Sequence, residues 1–102
     1  MMKQYGALPF RNRDAGIEVL LITTRKKKKW SVPKGWPIKA RTAQGTARVE
    51  AFEEAGVSGK VASKEVGRFK NRKVKRGQKV KCDVRLFPLL VRRQHRCAQP
   101  AS

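Results

Sequence analysis

Apolar and polar positions along this chain mark out a series of short extended pieces around a single helix. Residues 5–10 read as a first strand, with Pro9 near its end, where a missing backbone donor is tolerated. Residues 11–16 carry turn chemistry, and residues 17–23 form a β-branched, apolar run of the kind that fills a buried strand. Together they predict a hairpin. After a basic loop at residues 25–29, residues 30–32 are a short extended piece. Residues 33–37, with two prolines and a glycine, make a fixed, irregular loop.

Residues 42–55 are the best helix candidate. Thr42 is an N-capping residue type, and Gly56 stands where a left-handed residue ends a helix. Gly45 inside it costs about 1 kcal/mol relative to alanine. Residues 61–69 alternate loosely, and residues 71–78 read as a Lys/Arg-rich turn. Residues 80–91 alternate more clearly, placing Val80, Cys82, Val84 and Leu86 on one face of a half-buried strand. Periodicity stops after Val91, so residues 92–102 read as a disordered basic tail. No internal repeat is visible. The order of elements predicts one mixed α/β, or α+β, domain.

Charge narrows the choice of partner. The 102 residues include 26 Lys and Arg against 7 Asp and Glu, a net charge of +19. Such a surface attracts polyanions, whether phosphorylated small molecules or nucleic acid. The longest apolar runs, residues 19–22 and 86–91, are far too short for a membrane span, and nothing near Lys3 resembles a signal segment. A cytoplasmic protein is expected. Cys82 and Cys97 lack zinc-site spacing; reduced thiols are the simpler reading, with a disulfide between them left open. His95, the one histidine, reads as a solvated loop residue. Trp30 reads as core and Trp36 as a loop-packing residue.

Against this basic background, three of the seven acids fall within five positions: Glu50, Glu53 and Glu54. At helical spacing their carboxylates crowd one face, and the last two sit near a C-terminus whose dipole disfavours anions. Such a cluster points to a bound cation, and oxygen ligands suit a hard divalent ion such as Mg²⁺ or Mn²⁺. Arg25 and Lys34, close by in sequence, are candidate phosphate contacts, whereas residues 26–28 read as a solvated loop. Glu65 and Asp83 are the only later acids; either is a candidate extra ligand or base, with Asp83 equally suited to facing solvent.

The span from Gly35 to Val57 resembles the Nudix box, Gly-x5-Glu-x7-Arg-Glu-U-x-Glu-Glu-x-Gly-U, where U is aliphatic. Gly35, Glu50, Glu53, Glu54, Gly56 and Val57 match, and Ala51 fills the first aliphatic slot with a small residue. The lead-in at residues 30–37, the segment at residues 6–11 and the run at residues 18–23 are also similar to bacterial Nudix hydrolases of the diphosphoinositol-polyphosphate and dinucleoside-polyphosphate type. The resemblance implies a Nudix-like domain at residues 1–91, with the box at 35–57. It implies Glu50 and Glu54 as metal ligands, together with the Lys34 backbone carbonyl. Glu53 would orient or deprotonate the attacking water.

Two box positions differ: Arg41 replaces a glutamate and Val49 an arginine. Loss of the arginine beside the acids predicts weaker metal binding and slower turnover. Arg48, one position off, is expected to point elsewhere on the helix. The family's closing C-terminal helix is also expected to be missing, which predicts self-association through an uncovered sheet face. The implied function is metal-dependent hydrolysis of a diphosphate bond in a small phosphorylated substrate. The alternative is a catalytically weak or inactive Nudix-fold protein that holds polyphosphate or nucleic acid through residues 70–81 and the basic tail.

Overall fold

The computed structural model describes residues 1–23 and 28–95. In chain order the elements are β1 (Met2–Arg13), β2 (Gly16–Val19), β3 (Ile22–Thr23), β4 (Trp30–Ser31), β5 (Lys34–Gly35), α1 (Ala43–Ala55), β6 (Val57–Val61), β7 (Gly67–Lys75) and β8 (Gln78–Gln94). Two long strands carry the sheet. β1 and β8 lie side by side in parallel, from Met2 opposite Cys82 to Phe10 opposite Leu90. Each has two shorter antiparallel neighbours on its outer edge. β5 pairs Tyr5 and Gly6 on β1, and β2 pairs its far end. β7 pairs the first half of β8, and β6 pairs the second. β3 and β4 form a separate two-stranded ladder.

The helix obeys both of its sequence signals. The Thr42 hydroxyl accepts from the Gly45 N–H at 3.0 Å, and Gly56 turns left-handed at φ 65°, returning its N–H to the Ala51 and Phe52 carbonyls. Ala47 and Ala51 are fully buried, and their small side chains let α1 lie close on Ala7, Phe87, Leu89 and Val57. These sheet residues share one face. Strand alternation sends Leu8, Phe10, Leu86 and Leu90 to the other face, where they are half-buried. α1 is the only helix among the described residues, so no helix covers that second face within them.

Several expectations need correcting. Residues 17–23 are not one buried strand: β2 is exposed throughout, Ile17 is 69% exposed, and the chain breaks before β3. β2 pairs only with the end of β1, beyond Ala7 where α1 packs. Residues 71–75 are strand rather than turn. The turn is only Arg76 and Gly77, at φ 52° and 78°, the paired positive angles that suit a tight hairpin. Trp30 is 72% exposed on the small β3–β4 ladder and is not core. β8 runs on through Gln94, so Arg92 and Arg93 belong to the sheet and only residues 96–102 of the expected tail lie outside the described residues.

Gly59 sits at a bulge between β6 and β8, where an added Cβ would collide with the Leu90 carbonyl and lie 3.0 Å from the Arg92 nitrogen. Gly59→Ala should therefore lower the melting temperature by about 10 °C or more. Thr42→Ala, losing only the cap, should cost about 1 kcal/mol. Circular-dichroism melts check both, and a Gly59→Ala melt matching the parent would contradict the β6–β8 register.

Candidate active site

The acidic face of α1 is docked onto β5 by two contacts. The Lys34 backbone N–H donates to Glu54 Oε2 at 3.2 Å. At Gly35 the helix comes so close that a side-chain carbon would lie 2.7 Å from both carboxylate oxygens of Glu50. Any side chain at this position would force that carboxylate to move. The surrounding loop is fixed by Pro33, whose carbonyl accepts from the Ala7 N–H at 3.0 Å, and by Ile38, whose N–H donates to the hydroxyl of fully buried Thr46 at 3.3 Å.

Glu50 and Glu54 lie one turn apart, half-buried, on the same side of α1. Burial pushes the Glu50 carboxyl up to about 7, helped by the charges of Glu54 and Glu53 and by a hydrogen bond to Glu54. Burial also raises Glu54, opposed by the Lys34 N–H and by the Lys34 and Lys73 ammonium groups. The Lys34 ammonium is itself lowered, first by burial and then by Lys73, and donates to Ser31 Oγ at 2.9 Å. Two crowded carboxyls whose charged forms are disfavoured call for a proton or a cation between them. The donor set, two carboxylates beside a backbone segment, fits a hard divalent ion.

Glu53, whose charge helps raise both of these carboxyls, is not half-buried with them. It is exposed and lines a cleft of about 900 Å³ shared with Arg41, Arg48, Val49, Arg92 and Arg93. Among the described residues, no three Glu, Asp, His or Cys side chains converge on one metal-sized point. Both box departures, Arg41 and Val49, therefore line the same cleft as Glu53. Arg48, expected to point elsewhere, lines the same cleft.

Arg25 lies outside the described residues. Glu65 accepts from Arg68 and Arg85, and the Arg68 hydrogen bond leads in holding its carboxyl down to about 2. Asp83 sits 3.7 Å from both Arg68 and Lys70. Both acids are thus engaged on the β7–β8 hairpin. His95 is not a solvated loop residue: its ring meets Phe52 edge-on at 5.0 Å and its Nε2 lies 3.1 Å from Ser58 Oγ. Trp36 packs beneath the Lys75 ammonium at 4.6 Å. Lys73, whose charge acts on both Lys34 and Glu54, is the site neighbour that sequence reasoning missed; the alternation that marks it sits in a segment read as turn.

The Glu50 shift has a signed consequence. Folding raises this pKa from 4.5 to about 7, so the folded chain keeps the proton longer than the unfolded one. Its contribution to stability is complete below pH 4.5 and lost as pH rises through about 7. In metal-free buffer the melting temperature should fall by a few degrees across that window. Glu50→Gln should flatten the slope; an unchanged slope in that variant would contradict the assignment.

No family model matches the sequence, and neither does any curated protein. Solved structures do. An Ap4A hydrolase of C. elegans superposes with a TM-score of 0.60 at 20% identity, over 88% of this chain and 69% of that one. The Nudix domain of Shewanella oneidensis NrtR, solved with ADP ribose, gives 0.70 at 17% identity over 100% and 68%. The Nudix hydrolase RenU of M. smegmatis gives 0.60 at 17% over 99% and 67%. The arrangement of the mixed sheet and α1 is the Nudix fold, and this chain has it.

Proposed function

We propose that the chain is a Mg²⁺- or Mn²⁺-dependent Nudix hydrolase. Its substrate would contain a diphosphate bond, as in a nucleoside diphosphate derivative, a dinucleoside polyphosphate or a diphosphoinositol polyphosphate. The observation that carries this reading is the half-buried Glu50–Glu54 pair pressed against Lys34 and Gly35, on a fold shared with an Ap4A hydrolase. Glu50 and Glu54 would hold the ion, with the Lys34 carbonyl as a further oxygen donor. When bound, such an ion neutralises phosphate charge and acidifies a water for in-line attack.

Each residue then has a definable task. Gly35 lets the Glu50 carboxylate approach the backbone, and the Lys34 N–H fixes the orientation of Glu54. Glu53, exposed beside the cleft, would orient the attacking water or take its proton. Water adds at phosphorus, the bridging P–O bond breaks, and a phosphate leaves as an anion. Arg25 and the Lys34 ammonium would steady the substrate phosphates. The net charge of +19 draws a highly phosphorylated substrate in preference to a sparsely charged one.

A panel of pyrophosphate compounds, assayed for phosphate release with and without Mg²⁺ or Mn²⁺, tests the reading. Cleavage should require the ion. Glu53→Gln should lower turnover roughly 10²–10⁴-fold, and Glu50→Gln or Glu54→Gln should raise the metal concentration needed for half-maximal rate. No cleavage of any member, or rates indifferent to all three substitutions, would refute it.

A further inference from the structure

The β7–β8 hairpin carries more charge than the candidate site employs, where Lys73 alone of its cations acts on Lys34 and Glu54. Seven of the twelve residues at 70–81 are Lys or Arg, and none is acidic. At the hairpin's base the charges balance: Glu65 holds Arg68 and Arg85, and Asp83 sits opposite Lys70 at 3.7 Å. Toward the tip the balance is lost. Arg72 lies directly opposite Lys81, and Val74 opposite Lys79. Like charges in that relation destabilise a sheet. Among the described residues, no carboxylate lies within ion-pair distance of Arg72, Arg76, Lys79 or Lys81. Protecting an outer strand from aggregation explains a lysine or two on β7, but not cations set face to face.

Geometry selects the ligand. Arg72, Lys79 and Lys81 share one face by strand alternation, and Arg76 caps the turn. Residues two apart on a strand are separated by roughly 7 Å, so the Arg72–Lys81 pair, Lys79 and then Arg76 succeed one another along the ribbon toward its tip instead of closing into a cage. A row does not enclose a small anion; it tracks a long one. The hairpin's aromatic residue, Phe69, alternates to the opposite face, as does Lys75, which covers Trp36. The cationic face therefore offers no platform for stacking unpaired bases, which argues against single strands. A two-stranded ribbon matches a B-form major groove, about 12 Å wide. We infer that the β7–β8 hairpin docks on the phosphate backbone of double-stranded DNA without reading its sequence. This site is independent of the Glu50–Glu54 pair and does not rest on the hydrolase reading.

Fluorescence anisotropy with the full 102-residue chain and a short labelled DNA duplex tests it. Between about 50 and 200 mM salt, log affinity should fall linearly with log salt, with a slope of about −3.6 for some four phosphates contacted. The triple variant Arg72→Gln, Lys79→Gln, Lys81→Gln should reduce that slope by about 2.7 and weaken binding at least tenfold. Removing three scattered cations instead, by Arg13→Gln, Lys39→Gln and Lys64→Gln, should leave the slope nearly intact. Because the hairpin variant relieves the Arg72–Lys81 repulsion, it should melt at or above the parent temperature. Four results would overturn the proposal: no duplex binding at the lowest salt, equal losses in both triple variants, a lower melting temperature for the hairpin variant, or binding to single strands, RNA duplex or linear polyphosphate as tight as to the DNA duplex.

Discussion

The docking of α1 on β5 is the contact on which the rest of the molecule is arranged. A carboxylate resting over the α-carbon of Gly35, and a second one accepting from the Lys34 N–H, bring acidic side chains into a partly dry interface. Burying carboxyls is costly unless each finds a proton, a donor or a cation. Glu54 has its backbone donor; Glu50 meets the cost by holding its proton to about 7. The same contact seats Ala47 and Ala51 on the sheet and so positions the core around Phe87 and Leu89.

Four of the acids fall into two groups by the direction in which the fold moves them. Glu18 and Glu65 are depressed by guanidinium neighbours, first by Arg11 and Arg68 respectively. Glu50 and Glu54 are raised, chiefly by burial. In a chain with 26 cations, leaving two carboxyls in that second state is a choice of position, not a shortage of partners. Carboxyls raised by burial beside a specific charged partner are candidates for a functional site. The parallel β1–β8 pair ties the two charged regions into one sheet: β5 and the acidic site flank β1, while the basic hairpin extends from the start of β8.

How much could be read from the sequence depended on whether a signal was local. The helix and both its ends were legible because Thr42 and Gly56 act on backbone groups within a few residues. The Gly35-to-Val57 spacing likewise survived, since the box is a continuous segment. Residues 17–23 were misread because burial depends on what lies across the sheet, and among the described residues β2 pairs only with the end of β1. Residues 71–75 were misread because lysine and arginine resemble turn composition, although their long stems also cover strands. The separation of Glu53 from its two neighbours was invisible at helical spacing; it emerges only once β5 takes up one side of α1 and the arginine-lined cleft the other.

The central claim, that the docked Glu50–Glu54 pair is a divalent-cation site, is tested most directly by paramagnetic broadening. In a ¹⁵N-labelled sample, substoichiometric Mn²⁺ should first bleach the amide signals of Lys34, Gly35, Glu50 and Glu54 while those of Arg76 and Gly77 persist, and Glu54→Gln should abolish the effect. Broadening centred instead on Glu65 and Asp83, spread evenly over the chain, or unchanged by Glu54→Gln would contradict it.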